Sequence, residues 1–373
     1  MKLKVGILST QRHANWGSAL QCYALQKKLN DMGFEAEIID YFPEDVTVKG
    51  QLKRLKSKSK KLNNPILHLA AICAFSISYI NKKRVFDKFI KKYLPLTPKT
   101  YYTADEINEN DPYEDIYCCG GDQTLNGFKV LDVFDHLPDS VTRVTYSSSF
   151  GKTDFEEEEY KHAQKSLSRV SALSCREDSG TEIMRQMGFE SAKWIIDPAF
   201  LLTVDEWKPL ISDKYKGKKY IVAYNLHHDK KIEEFQKQLS KKYKIPVINI
   251  CVQWFEFYRH GKFLWCPSVQ DFLSLIYNAQ YVLSDSFHAT AFSILFHKKF
   301  MTVVPEVVGT RIDSISNLLG VKDRIIKWSE EKDYLTMIDN DIDYERIDSI
   351  IEEERKKAFE FIESWKDLKK KDE

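Results

Sequence analysis

The chain has 373 residues, 43% hydrophobic and 30% charged, which is enough apolar content for real cores and excludes a disordered chain. Fifty-six Lys and Arg against 55 Asp and Glu leave a net charge of +1, without the basic excess of a nucleic-acid binder. At roughly 150 residues per domain the length suggests two domains.

The chain opens on a short apolar run, Lys4 to Leu8, with no signal-peptide pattern before it. A polar loop, Ser9 to Gly17, leads into Ala19 to Met32, whose apolar residues recur at helical spacing. Gly33 sits where a helix end favours a left-handed residue, and Ala36 to Tyr41 reads as a second strand. This βαβ opening is the mark of a doubly wound parallel sheet. An insertion over 49–95 follows. It begins with Lys49 to Lys61, which holds seven Lys or Arg and no acid, and continues into the apolar stretch Ile66 to Ile80. That stretch is shorter than the roughly 20 residues of a membrane span. A basic run joined to an amphipathic helix suits a surface lying on an anionic membrane, a contact extending over 49–92 with Lys82-Lys83 and Lys91-Lys92 included. A solvated loop followed by a core helix accounts for the same residues.

The α/β pattern resumes with strands at Asp115 to Cys119 and Val141 to Tyr146, helices at Glu156 to Val170 and Asp178 to Met187, and a strand at Trp194 to Ile196. The Lys-rich stretch Asp205 to Lys219 is the expected domain boundary. A second α/β set starts at Tyr220, with a helix over 230–242, a strand from Val247 to Cys251, a helix over 270–278, a strand from Tyr281 to Leu283, a helix over 289–297 and a strand from Phe300 to Val304. The last segment, 341–373, carries the apolar spacing of an amphipathic helix. The expected architecture is a lobe over 1–208, a second over 209–340 and a closing C-terminal helix. Seven cysteines scattered without a CxxC pair suit neither a disulfide scaffold nor a zinc knuckle, so a reduced, cytoplasmic protein is expected.

In such sheets ligands lie beyond the carboxyl ends of the strands, so the loops there carry the candidate residues. After the first strand come Asn15, Trp16, Gly17 and Ser18, where the free N–H groups of a helix start favour an anionic or hydroxyl-rich ligand. A plain loop with a cap at Asn15 or Ser18 would read the same way, and without GxGxxG no dinucleotide is indicated. After the strand at 115–119 come Gly121, Asp122, Gln123 and Asn126, either hydrogen-bonding groups at the sheet rim or a glycine turn with a helix cap. His288 follows Asp285 and Ser286 between an apolar strand and an apolar helix. An imidazole there is either structural or placed to exchange a proton near neutral pH. Arg176 and Arg311 follow an apolar strand and a glycine turn. Each suits phosphate or carboxylate through its forked donors, or serves as a surface charge or a partner of Asp178 or Asp313.

Six motifs in order resemble the polysaccharide pyruvyl transferase family. They are Asn15-Trp-Gly-Ser-Ala-Leu-Gln21, Gly120-Gly-Asp-Gln123 with Asn126, Ser148-Ser-Phe-Gly151, Cys175-Arg-Glu-Asp178, Asp197-Pro198, and the stretch from Phe272 through Ser284-Asp-Ser-Phe-His288 to Phe292. The resemblance runs from residue 4 to about 325. It implies a fold similar to GT-B glycosyltransferases and transfer of the enolpyruvyl unit of phosphoenolpyruvate, a co-substrate rather than a cofactor, onto two hydroxyls of a sugar. The acceptor would be a surface polysaccharide sugar or its lipid-linked precursor. On that reading His288 is the acid/base, Arg176, Ser286 and Arg311 bind the donor, and the 15–18 and 121–126 loops face the acceptor or complete the cleft. No metal and no nucleic acid are implied. Ser286-Phe287-His288 stands where some members carry Arg-Leu-His, so either Arg311 supplies the missing cation or donor or acceptor differs. Gly121 likewise stands where many relatives have Ser. A nucleotide-sugar glycosyltransferase and a non-catalytic glycan binder are the alternatives.

Overall fold

Strand β1 (Lys4–Leu8) is buried from Val5 onward, as a central parallel strand covered on both faces must be. In the computed structural model, which describes residues 2–58, 64–109, 114–126, 137, 140–304, 309–330 and 333–369, it is the middle strand of the first of two large sheets. That sheet adds β2 (Glu35–Tyr41), β3 (Leu96–Tyr101), β4 (Ile116–Gly120) and β5 (Thr142–Tyr146) in the order β3-β2-β1-β4-β5, every pair parallel. The chain reverses its direction of travel across the sheet between β1 and β4. The loops after these two strands therefore open the crevice where such folds bind ligands. A short ladder of β6 (Ser174–Cys175) and β7 (Lys193–Trp194) bridges to the β5 side through Ser148 and Cys175.

The second sheet joins β8 (Ile221–Tyr224), β9 (Val247–Cys251), β10 (Lys262–Trp265), β11 (Tyr281–Ser284), β12 (Lys299–Val304) and β13 (Ile325–Lys327). The order is β10-β9-β8-β11-β12-β13, again all parallel, with the reversal between β8 and β11. Two Rossmann-like lobes are thus present, as the sequence leads one to expect. The C-terminal helix, Tyr344–Glu363, closes back over the first lobe. Its Arg355 donates to the Phe200 carbonyl at 2.7 Å, and beyond it Trp365 packs against Phe34 and Tyr146.

Several elements differ from the sequence expectation. Strands β3, β10 and β13 and the helix Thr310–Leu319 go unanticipated, the strands because all three lie at or next to sheet edges, where little apolar patterning is needed. The helix after the first strand starts at Trp16 rather than Ala19, because the Asn15 carboxamide accepts from the N–H groups of Gly17 and Ser18. The insertion forms the helices Val48–Lys58 and Pro65–Tyr93, then feeds β3 into the main sheet. Residues 59–63 of the basic run lie outside the described residues. The boundary stretch is packed between the lobes: Trp207, Leu210 and Tyr215 within it are buried. No helix among the described residues is long and apolar enough to cross a membrane.

Candidate active site between the lobes

The loop after β4 carries two consecutive left-handed residues, Gly121 at φ +62° and Asp122 at φ +50°. Gly121 has no room for a side chain, since a Cβ there would meet Gln21 Oε1 at 1.8 Å. Asp tolerates this backbone region better than most residues. The turn aims the Asp122 carboxylate back at β1, where it accepts from Thr10 Oγ1 at 2.8 Å and from the Ser18 hydroxyl. It also faces Arg176 Nη2 at 3.5 Å and Arg311 Nη1 at 3.9 Å. Burial alone would raise its pKa, but Arg176, His288, Arg311 and the Ser18 hydroxyl outweigh burial and hold it well below the usual carboxylate range.

Arg176 leaves β6 and is buried, with Nη1 2.6 Å from Asp197 Oδ2. Asp197 caps the turn Pro198–Leu201 by accepting from Ala199 N at 2.8 Å, and its Oδ2 lies 3.7 Å from His288 Nε2. Burial works against the charged form here too, yet His288 and Arg176 hold the Asp197 pKa down at about 2. Arg311 enters from the start of the helix Thr310–Leu319. Burial, reinforced by repulsion from Arg176, pushes its pKa down to about 10, so it stays charged at neutral pH. Both guanidiniums flank the Phe287 ring, at 4.7 Å for Arg176 and 6.0 Å for Arg311. Phe287 therefore gathers two cations beside His288.

The donors on these groups are only partly used. Arg176 Nε and Nη2, Arg311 Nε and His288 Nε2 are buried without a hydrogen-bond partner. Leaving a buried donor unsatisfied costs about 1–3 kcal/mol, more for a charged group. Several such donors around one ring and two carboxylates make an arrangement that an anionic ligand would complete.

His288 sits one residue into the helix Phe287–Leu295, at the end of the β11 loop. Gly17 of the opposite lobe lies so close that a Cβ there would be 2.1 Å from His288 Nδ1. The sequence candidates thus divide. Ser18, Asp122, Arg176, His288 and Arg311 converge, with Gly17 against the imidazole. Ser286 adjoins them, buried at the helix N-cap with no capping bond from its hydroxyl. Asn15 is the helix cap. Trp16 is a core residue joining the lobes, stacked on Phe272 at 5.4 Å and donating to the Pro267 carbonyl at 2.9 Å, and it offers no surface to a ligand. Gln123 is half-buried against Gly151, and Asn126 is exposed at the rim.

Two groups escaped the sequence reading as site residues. Asp197 was visible only as a motif with no assigned role. His227, after β8, donates through Nδ1 to Asp285 Oδ2 at 2.9 Å, and Asp285 also accepts from Leu226 N and His227 N, each at 2.7 Å. The bond to Asp285 raises the His227 pKa against the effect of burial, and Arg311 is close enough to oppose that rise. The signal that could have found His227 is its place after an apolar strand at the switch point of the second sheet.

A two-lobed, doubly wound fold with its site between opposed switch points is a GT-B-type architecture, and solved structures bear this out. A protein from Listeria monocytogenes described as a UDP-N-acetylglucosamine 2-epimerase superposes with a TM-score of 0.55 at 11% identity, covering 94% of this chain and 91% of that one. The UDP-GlcNAc 2-epimerase of Methanocaldococcus jannaschii gives 0.52 at 11% identity, covering 95% and 93%. The UDP-N-acetylglucosamine 2-epimerase of Rickettsia bellii gives 0.52 at 12%, covering 99% and 98%. At such identities the likeness is one of fold. No curated protein matches the chain in sequence. The family is given by the polysaccharide pyruvyl transferase model, which matches residues 15–306: the chain belongs to that family and is a transferase.

Proposed function

We propose that the protein transfers the enolpyruvyl unit of phosphoenolpyruvate onto two hydroxyls of one sugar, in a surface polysaccharide or its lipid-linked precursor, forming a cyclic ketal and phosphate. The observation that carries this reading is the set of unpartnered donors on Arg176, Arg311 and His288. They suit a small donor bearing phosphate and carboxylate on one carbon.

A proton adds to the methylene carbon of the donor, leaving an oxocarbenium-like centre at the carbon that carries phosphate. One sugar hydroxyl attacks that carbon and loses its proton. The C–O bond to phosphate then breaks, and the second hydroxyl closes the ring and loses its proton. The two hydroxyl protons balance the one gained by carbon and the one carried off by phosphate. We assign His288, oriented by Asp197, to the proton at the donor carbon and Arg176 and Arg311 to the anionic groups, with Ser286 beside them. His227, its side chain 47% exposed, is assigned to the acceptor hydroxyl. Ser18, Gln123 and Asn126 are assigned to the acceptor or to completing the cleft, and Asp122 to holding the two arginines in place. The chemistry as written uses no cofactor and no metal.

The test is phosphate release from phosphoenolpyruvate with a simple β-galactoside or a lipid-linked acceptor. His288→Ala should abolish it, and Arg311→Ala should raise the donor KM more than the acceptor KM. Release of a nucleoside diphosphate from a nucleotide sugar would overturn the reading in favour of a glycosyltransferase. His227→Gln should flatten the pH profile of kcat/KM around the imidazole range. Because its folded pKa is raised, the His227 bond to Asp285 contributes stability below the ordinary imidazole value and loses it as pH climbs through the folded one. An unaltered profile in the variant would remove His227 from the reaction.

A further inference from the structure

The helix Pro65–Tyr93 is apolar on the side it should not be. Its inner face packs on both lobes: Phe86 lies 5.6 Å from Trp16, while Trp254 of the second lobe donates its indole N–H to the Ala74 carbonyl at 3.0 Å. At 3.6 residues per turn the opposite face carries positions 66, 69, 73, 77 and 80. There Ile66 is 78% exposed, Leu69 62%, Ile77 48% and Ile80 66%. Scattered exposed apolar residues are ordinary, but a continuous stripe along one helix face marks an interaction surface.

The same face changes character further along. Positions 84, 88 and 91 continue the stripe, and Arg84, Lys88 and Lys91 are exposed with no ion pair among the described residues. Asp87, at the edge of the stripe, is already engaged by Arg12 and Lys83. Lys53 and Lys56 of the neighbouring helix Val48–Lys58 add exposed cations, whereas Lys82 is buried and takes no part. Exposed Phe257 and Tyr258 lie on the short helix whose Trp254 and Phe255 pack against this one.

From this segregation of apolar and cationic residues on one unpartnered face we infer that the helix docks on an anionic lipid surface. The half from Ile66 to Ile80 enters the headgroup boundary, and Arg84, Lys88 and Lys91 meet the lipid phosphates. A second copy of the chain fits the face poorly: packed parallel, two such helices oppose their cations, and packed antiparallel they set each apolar half against a cationic one. Because the helix packs on both lobes, a lipid-linked acceptor would reach the protein from the same surface. The docking extends the transferase reading but does not depend on it.

The test uses the full chain and vesicles of phosphatidylcholine, with or without phosphatidylglycerol. Sedimentation is expected with the anionic vesicles, weakening as salt is raised, and not with phosphatidylcholine alone. The triple variant Ile66→Ser/Leu69→Ser/Ile77→Ser should lose binding by roughly tenfold or more. Arg84→Gln/Lys88→Gln/Lys91→Gln should lose both binding and its salt dependence. Both variants should keep the native unfolding transition and the wild-type rate on a soluble acceptor, so a failure of docking is separable from a failure of the transferase assignment. Absence of wild-type binding to anionic vesicles would overturn the inference. So would a wild-type dimer in sedimentation velocity that the apolar triple variant turns into a monomer while vesicle binding is unchanged.

Discussion

Replacing Asp197 with Asn is expected to destabilise the fold by about 3 kcal/mol, the low end for breaking a buried ion pair, and to abolish phosphate release. The side chains of Asp197 and Arg176 are 0% and 1% exposed, so the guanidinium cannot turn to water when its partner loses charge. Asn keeps the shape and can still accept from Ala199 N, which isolates the charge as the cause. The low end applies because Asp122 remains 3.5 Å from Arg176. The effect has a pH signature. Asp197 is held at about 2, below its unfolded value of roughly 3.9. Its contribution is therefore complete above the unfolded value and disappears as pH falls through about 2. Denaturant unfolding across that window should show a shallower acid loss for Asp197→Asn than for wild type. The double variant Asp197→Asn/Arg176→Met should recover part of the stability that either single change loses, yet none of the activity. Equal stability of wild type and Asp197→Asn would show that the pair is not the buried anchor described above.

Much of this arrangement is legible in the residues. The apolar runs that become β1, β4, β8, β9, β11 and β12 are interior strands, where burial on both faces forces a continuous apolar signal, and β5, though last in its sheet, is buried along its whole length. β3 is not legible, because Leu-Thr-Pro-Lys-Thr-Tyr at a sheet edge needs few apolar contacts and tolerates proline. The site divides in the same way. Asp122, Arg176, His288 and Arg311 are identifiable from strand-end positions and motif resemblance. Trp16 misleads, since an aromatic in a ligand-side loop looks like a sugar platform while its ring is consumed in joining the lobes. Asp197 and His227 acquire meaning only through partners far away in sequence, Arg176 and Asp285, and no local pattern encodes those distances.

The two lobes are not independent contributors to the site. Asp122, Arg176 and Asp197 come from the first, and Phe287, His288 and Arg311 from the second. The first lobe by itself sets two carboxylates against one guanidinium, and the second brings Arg311 and His288 up to those same carboxylates. The charge balance of the site is therefore a property of the interlobe spacing. That spacing is fixed locally by Trp16 on Phe272, by the Ser314 hydroxyl bonded to Asp178, and by the contact of Gly17 with the imidazole.

Gly17→Ala is consequently expected to cut turnover about 100-fold for a stability cost of only about 1–3 kcal/mol. The new methyl would lie 2.1 Å from His288 Nδ1 and 2.6 Å from His288 Cβ, so rotation of the ring alone cannot clear it. Either the helix Phe287–Leu295 shifts or the lobes part by a fraction of an ångström. In both cases the imidazole moves relative to a donor gripped by Arg176, whose ion pairs to Asp122 and Asp197 lie within the first lobe and are left in place. The donor KM should accordingly change much less than kcat, the reverse of the Arg311→Ala pattern. A merely structural role for Gly17 would instead lower stability with kcat per folded molecule preserved. Steady-state kinetics at saturating donor, paired with an unfolding curve on the same sample, separate the two. Wild-type kcat in Gly17→Ala would mean that the position of the His288 ring is not what the reaction depends on.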